Sequence, residues 1–111
     1  MSQFWNRPTT CLSKHQHPSK LEATYCNRLL AMVQAKEIQQ YRAAVEYPLR
    51  GLNSQQVAVH VVDFEVVLLD GRVEVHEVKG KSGNTPLWRL KRKLFEDNYP
   101  SVAYVVITRR G

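Results

Sequence analysis

The strongest constraint on the fold is a run of β-branched residues in the middle of the chain. Residues 57–69 read VAVHVVDFEVVLL, a composition and length typical of a β-strand. Asp70-Gly71 then has turn chemistry, and residues 72–79 return as a second strand that ends in the letters EVK. The centre of the chain therefore predicts an antiparallel hairpin that contains acidic residues.

The turn of this hairpin decides whether its acids meet. A two-residue turn would put Asp63 out of line with Glu77, whereas a three-residue loop over residues 69–71 places the two acids directly opposite each other. Such a loop favours a left-handed residue at its third position, where Gly71 stands. We therefore expect the three-residue loop. Lys79 should share a face with Glu77, because residues i and i+2 of a strand point the same way.

Two helices and two more strands surround the hairpin. Ser19 and Glu22 have the spacing of a capping box, which predicts a helix that runs to about residue 40. Thr-Pro at residues 85–86 predicts the start of a second helix that runs to about residue 98. Strand candidates occupy residues 45–49, interrupted by a proline, and residues 102–108. The latter is apolar nearly throughout, as expected of a strand buried on both faces.

The order of these elements predicts an α/β fold with an αβββαβ core, in which helices flank a mixed β-sheet. The final strand–helix–strand unit implies a right-handed crossover and parallel pairing of residues 72–79 with residues 102–108. At 111 residues the chain is the size of one domain. We assign this domain to residues 19–111. Residues 1–18 have two prolines and little periodicity and are interpreted as an extended N-terminal arm.

Each predicted helix carries one ionisable residue on its apolar stripe. At about 100° per residue, Glu22 lies near the middle of the stripe of the first helix, and Lys91 lies at the centre of that of the second. Helices normally keep charges off the buried face, so both residues are expected to face charged groups of the sheet. The hairpin supplies such groups in Asp63, Glu77 and Lys79.

Three carboxylates and a lysine suit a hydrolytic metal centre. Glu22, Asp63 and Glu77 would offer the oxygen ligands that Mg²⁺ prefers. The cation would acidify a bound water and offset charge on a phosphodiester. Lys79 would position or help to deprotonate that water and stabilise charge in the transition state.

These motifs resemble the PD-(D/E)XK nuclease superfamily. Within it, four pieces look like a family of small phage-encoded nucleases, and archaeal and phage Holliday-junction resolvases share that core. The pieces are HPSKLEA at 17–23, AKEI at 35–38, VDF at 62–64 and EVKG at 77–80. The resemblance covers roughly residues 17–107 and implies a restriction-endonuclease-like fold.

The resemblance also implies a function, a metal-dependent endonuclease acting on DNA with branched, resolvase-like substrates. Its metal ligands would be Glu22, Asp63, Glu77 and Val78, with Mn²⁺ able to replace Mg²⁺. Lys79 would be catalytic. In addition, Lys91 is similar to an extra polar catalytic residue that some superfamily nucleases supply from the same helix.

The chain departs from the superfamily pattern at two positions. Val62 stands where the superfamily name has proline, which is a common replacement. Ala44 falls near a position where relatives often carry glutamine, so a secondary contact is in doubt.

A net charge of +6 favours a polyanionic partner, and nucleic acid is the commonest. Four basic residues follow the EVK strand and are candidates for phosphate contacts: Lys81, Arg89, Arg92 and Lys93. The alternative is that they form an ordinary solvated face. Since a resolvase must cut two strands and one chain offers one site, that function implies a homodimer.

No apolar run approaches the ~20 residues that span a bilayer, and the first ten residues lack a signal-peptide core. We therefore expect no membrane association. The expected location is the cytoplasm, which is the host cytoplasm if the protein is phage-encoded.

Cysteine and histidine near the N-terminus suggest a different metal. A zinc site would use Cys11, His15, His17 and Cys26, but their spacing fits no compact C-x-x-C pattern and Cys26 falls inside a predicted helix. The preferred interpretation is two free thiols in a reducing compartment and a mobile polar arm.

Less specific interpretations remain open. Glu22 could have no role beyond closing a capping box. Asp63 and Glu77 could lie on an exposed face of the hairpin, and Lys91 could extend along the edge of the sheet. Two histidines are predicted to be structural or solvent-facing: His60 and His76. The second hypothesis for function is a catalytically silent or RNA-directed nucleic-acid-binding module on the same fold.

Overall fold

The computed structural model describes residues 9–12, 16–17, 19–80 and 84–108. Its elements follow the chain as β1 (Thr9–Thr10), β2 (Gln16–His17), α1 (Lys20–Gln34), β3 (Ile38–Arg50), β4 (Gln56–Leu68), β5 (Val73–Lys79), α2 (Pro86–Asn98) and β6 (Ala103–Thr108). A short 3-10 turn, Leu52–Ser54, joins β3 to β4.

The main sheet has four strands in the order β3-β4-β5-β6. The first two pairings are antiparallel and the pairing of β5 with β6 is parallel. This mixed sheet confirms the predicted α/β class and αβββαβ order.

Within the described residues, neither helix has the length and apolar character that a membrane-spanning helix needs.

The two helices cover opposite faces of the sheet. On β5, His76 is hydrogen-bonded to Tyr25 of α1, whereas the adjacent Val75 packs in a cluster with Phe95 of α2. Successive residues of a strand point to opposite faces, so the sheet lies between the helices. The α1 cluster is centred on the fully buried Phe64 and Leu29.

The first helix ends six residues before its predicted end. Lys36 has a φ of +59°. Its N–H donates to the Val33 carbonyl, and the N–H of Glu37 donates to the Met32 carbonyl. These two bonds form a Schellman motif, in which the left-handed position is usually glycine. Because lysine holds that position, the sequence gives no stop signal and the prediction of a helix to residue 40 is wrong.

Both edge strands differ from the sequence interpretation. β3 is thirteen residues long and runs through Pro48, rather than occupying only residues 45–49. Proline is tolerated there because an edge strand has a side with no ladder hydrogen bonds to lose. β6 is the other edge, and its four central residues are half-buried, so the expectation of burial on both faces is wrong.

The described part of the N-terminal arm packs against α1. β1 and β2 form a two-stranded antiparallel ribbon, the N–H of Leu12 donates to Asn27 Oδ1 at 2.6 Å, and Cys11 and His17 are buried. The expectation of a mobile polar arm is therefore wrong for Cys11 and His17. His15 lies outside the described residues.

Candidate functional site

The hairpin has the predicted register. The N–H of Leu68 donates to the Arg72 carbonyl at 2.8 Å, and that of Gly71 donates to the Leu68 carbonyl at 3.0 Å. Gly71 has a φ of +89°, as the third position of the loop requires. The paired residues from Phe64↔His76 to Val67↔Val73 continue to an alignment of Asp63 with Glu77. The three-residue loop is therefore confirmed.

The regular alternation of side chains between the two faces of the sheet is interrupted at Asp63. Phe64 packs in the α1 cluster, which also contains Leu29. Val62, two residues earlier, packs instead in the α2 cluster, which contains Val75 and Phe95. The neighbouring β3 does the same, since Ala43 packs with the α1 cluster and Val45 with the α2 cluster. A regular strand would keep i and i+2 on one face.

The change of face in β3 is centred on Ala44. Its φ is +54°, and it lies between the pairs Ala43↔Phe64 and Val45↔Val62, directly across from Asp63. The two adjoining strands thus bend together. A non-glycine residue in the left-handed region is held there by its surroundings.

The bend brings Asp63 into contact with both other acids. Its backbone N–H donates to Glu77 Oε1 at 3.0 Å, and its Oδ2 accepts from the N–H of Val78 at 2.8 Å. Its carboxyl also shares a side-chain hydrogen bond with that of Glu22. Asp63 therefore lies in contact with Glu22, Glu77 and Val78.

Glu22 is positioned at the site by the first turn of α1. Its N–H donates to Ser19 Oγ at 3.2 Å, so Ser19 is the helix cap. The Glu22 side chain does not close the predicted capping box in any described contact; instead its Oε2 lies 2.7 Å from His17 Nδ1. Glu22 is only 9% exposed, and its carboxyl points into the acid cluster.

Burial and mutual repulsion hold protons on these acids. Burial first, and then the charge of Glu22, raises the pKa of Asp63 to about 7. Burial and the charge of Asp63 likewise raise the pKa of Glu77 to about 7, and burial raises that of Glu22. A cation placed among the three would relieve both effects. The all-oxygen donor set fits a hard divalent ion such as Mg²⁺ or Mn²⁺.

Lys79 lies beside the acids on the α2 side. Its Nζ is 3.6 Å from Glu77 Oε2 and 4.5 Å from the centre of the Trp88 ring. The ammonium is thus held between a buried carboxylate and an aromatic face, which both attract it. Its side chain is 20% exposed, so one side remains open to solvent or to a bound anion.

The structure adds three residues that the sequence analysis did not place at the site. His60 Nε2 lies 3.9 Å from Glu77 Oε1 and 2.9 Å from the Tyr104 hydroxyl. That hydroxyl accepts from Trp88 Nε1 at 3.1 Å. Burial, with the charges of Lys91 and Lys79, lowers the pKa of His60 to about 4, so its imidazole is neutral at pH 7. No short motif marks these residues, since they meet only through the sheet.

Lys91 is not brought into a described contact with the acids. Its Nζ donates to the Val59 carbonyl at 3.3 Å, and its charge acts on His60. Lys91 therefore lies near His60, which is itself beside Glu77. The residue reaches the sheet from α2 as expected, but at a position beside the acid cluster.

The predicted basic residues of α2 line a groove next to Lys79. Arg89, Arg92 and Lys93 border it together with Trp88. Arg92 lies 5.0 Å from the centre of the Tyr104 ring, and Arg89 donates to the carbonyl and side-chain oxygens of Asn84 at 3.0 Å. Lys81 lies outside the described residues.

A family model described as "Protein of unknown function (DUF1064)" matches residues 7–110, nearly the whole chain. Comparisons with curated proteins and with solved structures find no match.

Proposed function

The chain belongs to the DUF1064 family, and we propose that it is a Mg²⁺-dependent endonuclease that hydrolyses phosphodiester bonds of DNA. The proposed substrates are branched DNA molecules of the resolvase kind, cut by a homodimer in the cytoplasm. The resemblance of the motifs to PD-(D/E)XK nucleases supports this function.

The observation that carries the proposal is the contact of the half-buried Asp63 with two buried acids, Glu22 and Glu77, each from a different element. Glu22 comes from α1, Asp63 from β4 and Glu77 from β5, and Asp63 is hydrogen-bonded to parts of both other residues. Burying ionised acids together is unfavourable unless a proton or a cation compensates their charge, and a bound cation would let all three ionise at neutral pH. A binding surface for phosphates would have no use for such a cluster, because carboxylates repel phosphates.

A bound Mg²⁺ would supply water acidification and charge neutralisation at the scissile phosphate. Glu22, Asp63 and Glu77 would hold it. The Val78 N–H fixes the orientation of the Asp63 carboxylate. His60, neutral at pH 7, offers no competing positive charge beside Glu77.

Lys79 would act on the phosphate and the attacking water. Its ammonium lies beside Glu77 Oε2, and its open side would donate a hydrogen bond to a non-bridging phosphate oxygen or hold the water in line. Contacts that strengthen as charge develops in the transition state accelerate the reaction. The groove lined by Arg89, Arg92 and Lys93 would bind the flanking backbone phosphates.

Cleavage assays with matched variants test the proposal. Labelled branched, duplex and single-stranded DNA and RNA are incubated with Mg²⁺, Mn²⁺ or EDTA. Glu77→Gln should abolish cleavage while leaving substrate binding in Ca²⁺ intact. Lys79→Ala should slow cleavage by roughly 10²-fold or more. The control is Glu46→Gln, an exposed glutamate of β3, which should cut like wild type.

Two results would contradict the proposal. Tight binding by the wild type without cleavage of any substrate in either metal would leave the catalytically silent module as the function. Cleavage of RNA alone would keep the metal site and change the substrate class.

A further inference from the structure

A second cluster of metal-ligating side chains lies where the β1–β2 ribbon meets α1. Cys11, His17 and Cys26 each offer one ligand atom, and these atoms all lie within 4.8 Å of one another. The three residues are 5%, 2% and 0% exposed. The two sulfur atoms are 3.0 Å apart. None of these atoms belongs to the carboxylate set described above.

The ligand types indicate the metal. Two thiols and one imidazole form a soft donor set that suits zinc and is unsuited to Mg²⁺. In a tetrahedral zinc site, Zn–S bonds of about 2.3 Å and Zn–N bonds of about 2.0–2.1 Å hold the ligand atoms about 3.5–3.8 Å apart. The two sulfur atoms lie closer together than that, at 3.0 Å, and no pair of ligand atoms is more than 4.8 Å apart, so small side-chain rotations would suffice to form the site.

The histidine is oriented in the way that zinc ligands usually are. Its Nδ1 lies 2.7 Å from Glu22 Oε2; in the tautomer whose Nδ1–H donates to the Glu22 carboxylate, the lone pair belongs to Nε2. A carboxylate that accepts from the second ring nitrogen fixes the tautomer and raises the basicity of a metal-bound histidine. The ring also packs against Phe64, with 5.5 Å between centroids, which limits its rotation.

The ribbon is too small to be ordered by its own hydrogen bonds. β1 and β2 have two residues each, and even longer isolated hairpins are only marginally stable in water. Yet Cys11 and His17 are buried against α1. A metal that bridges both residues to Cys26 of α1 would supply the missing stabilisation, as structural zinc does in other small folds.

We propose that Cys11, Cys26 and His17 Nε2 bind one Zn²⁺ that fastens the N-terminal ribbon to α1 and holds His17 against Glu22. On binding, both thiols lose their protons to solvent, and the fourth tetrahedral position takes a water. The site does not depend on the proposed nuclease activity. It places a soft-metal site next to the carboxylates, with the His17–Glu22 hydrogen bond as the link between them.

The zinc site is tested on tag-free, reduced wild-type protein, so that no histidine tag contributes ligands. Elemental analysis after dialysis should find one zinc per chain. Replacement by Co²⁺ should give the thiolate-to-cobalt charge-transfer absorption and the intense visible bands of tetrahedral coordination. Since Cys11 and Cys26 are the two cysteines of the chain, Cys11→Ser and Cys26→Ser should each weaken the charge-transfer absorption, and the double variant should lose it.

Further variants separate the two metal sites. Glu77→Gln should keep the thiolate-to-cobalt charge-transfer absorption of the wild type, because Glu77 is not one of the proposed zinc ligands. Glu22→Ala should lower zinc affinity by about 10–100-fold, because it removes the partner of His17 Nδ1. An unchanged zinc affinity in Glu22→Ala would refute the linkage between the sites.

A measurement on the wild type covers the case in which the cysteine variants fail to fold. Zinc should protect both thiols from alkylation, and a chelator should restore their reactivity. The proposal is overturned if the reduced protein takes up no zinc, if Co²⁺ binds without charge-transfer absorption, or if both thiols react equally with and without zinc. Isolation of a Cys11–Cys26 disulfide as the stable form would also overturn it.

Discussion

The Glu77 carboxyl allows the acid cluster to be tested without any substrate. Burial, and then the charge of Asp63, raises its pKa from 4.5 to about 7 in the folded, metal-free chain. The folded state therefore binds this proton more tightly than the unfolded state. The resulting stabilisation is complete below about pH 4.5 and is lost as the pH rises through 7. The difference between the two pKa values corresponds to about 3 kcal/mol.

Glu77→Gln removes this titration and preserves the size of the side chain. In EDTA, the free energy of unfolding of wild type should fall between about pH 5 and pH 8.5 by about 1–3 kcal/mol more than that of the variant. We expect the lower part of that range where Asp63 retains the proton instead. Urea denaturation at a series of pH values measures the difference, with Glu46→Gln as the control that should follow wild type.

Mg²⁺ should reverse the effect in wild type. Because binding displaces protons from the carboxylates, the increase in stability on adding Mg²⁺ should be greater at about pH 8.5 than at about pH 5.5. Adding Mg²⁺ should raise the stability of Glu77→Gln little at either pH. A variant whose pH profile in EDTA matches that of wild type would refute the argument, since the pKa of Glu77 would then not be raised by burial in the folded state.

Two other predictions concern the strand bend and the basic groove. Ala44→Gly should raise the free energy of unfolding by about 1 kcal/mol, because glycine adopts the positive φ without a Cβ clash. The control Ala43→Gly should lower the free energy of unfolding by about 0.5–1 kcal/mol or more. Equal effects of the two substitutions in urea denaturation would show that Ala44 is not strained. Neutralising Arg89, Arg92 and Lys93 together should make binding less salt-dependent, with the log–log slope reduced by roughly 0.7–0.9 for each phosphate that is no longer neutralised. An unchanged slope would place the nucleic-acid surface elsewhere.

The features that the sequence predicted correctly are those fixed by local chemistry. Gly71 at the third loop position sets the hairpin register, and that register alone aligns Asp63 with Glu77. Ser19 marks the start of α1 in the same local way. Where the local residue is unusual for its role, the prediction failed, as at Lys36, whose left-handed conformation ends the helix without a glycine.

Burial of Cys11 and His17 was missed because it results from their packing against α1. Cys11 and His17 are polar enough to be read as part of a solvated segment, and their spacing matches no compact metal motif. Their partners, Cys26 and Glu22, are separated from them by the turn into α1. The sequence names Cys11, His17 and Cys26 as possible ligands, but only the folding of the ribbon against α1 brings them together.

The meeting of the three acids depends on a strand irregularity that no residue type signals. Glu22 belongs to α1, on one face of the sheet, whereas Glu77 shares the opposite face with Val75, which packs under α2. A regular β4 would point Asp63 to one face alone and leave one of the other acids out of reach. The bend shared with Ala44 puts Asp63 at the crossing point between the faces, where its backbone contacts Glu77 and its carboxyl contacts Glu22. Alanine has no preference for a positive φ, so the bend is maintained by the packing of residues on either side of it. A substitution that straightened β4 would therefore separate the carboxylates even with all three acids present.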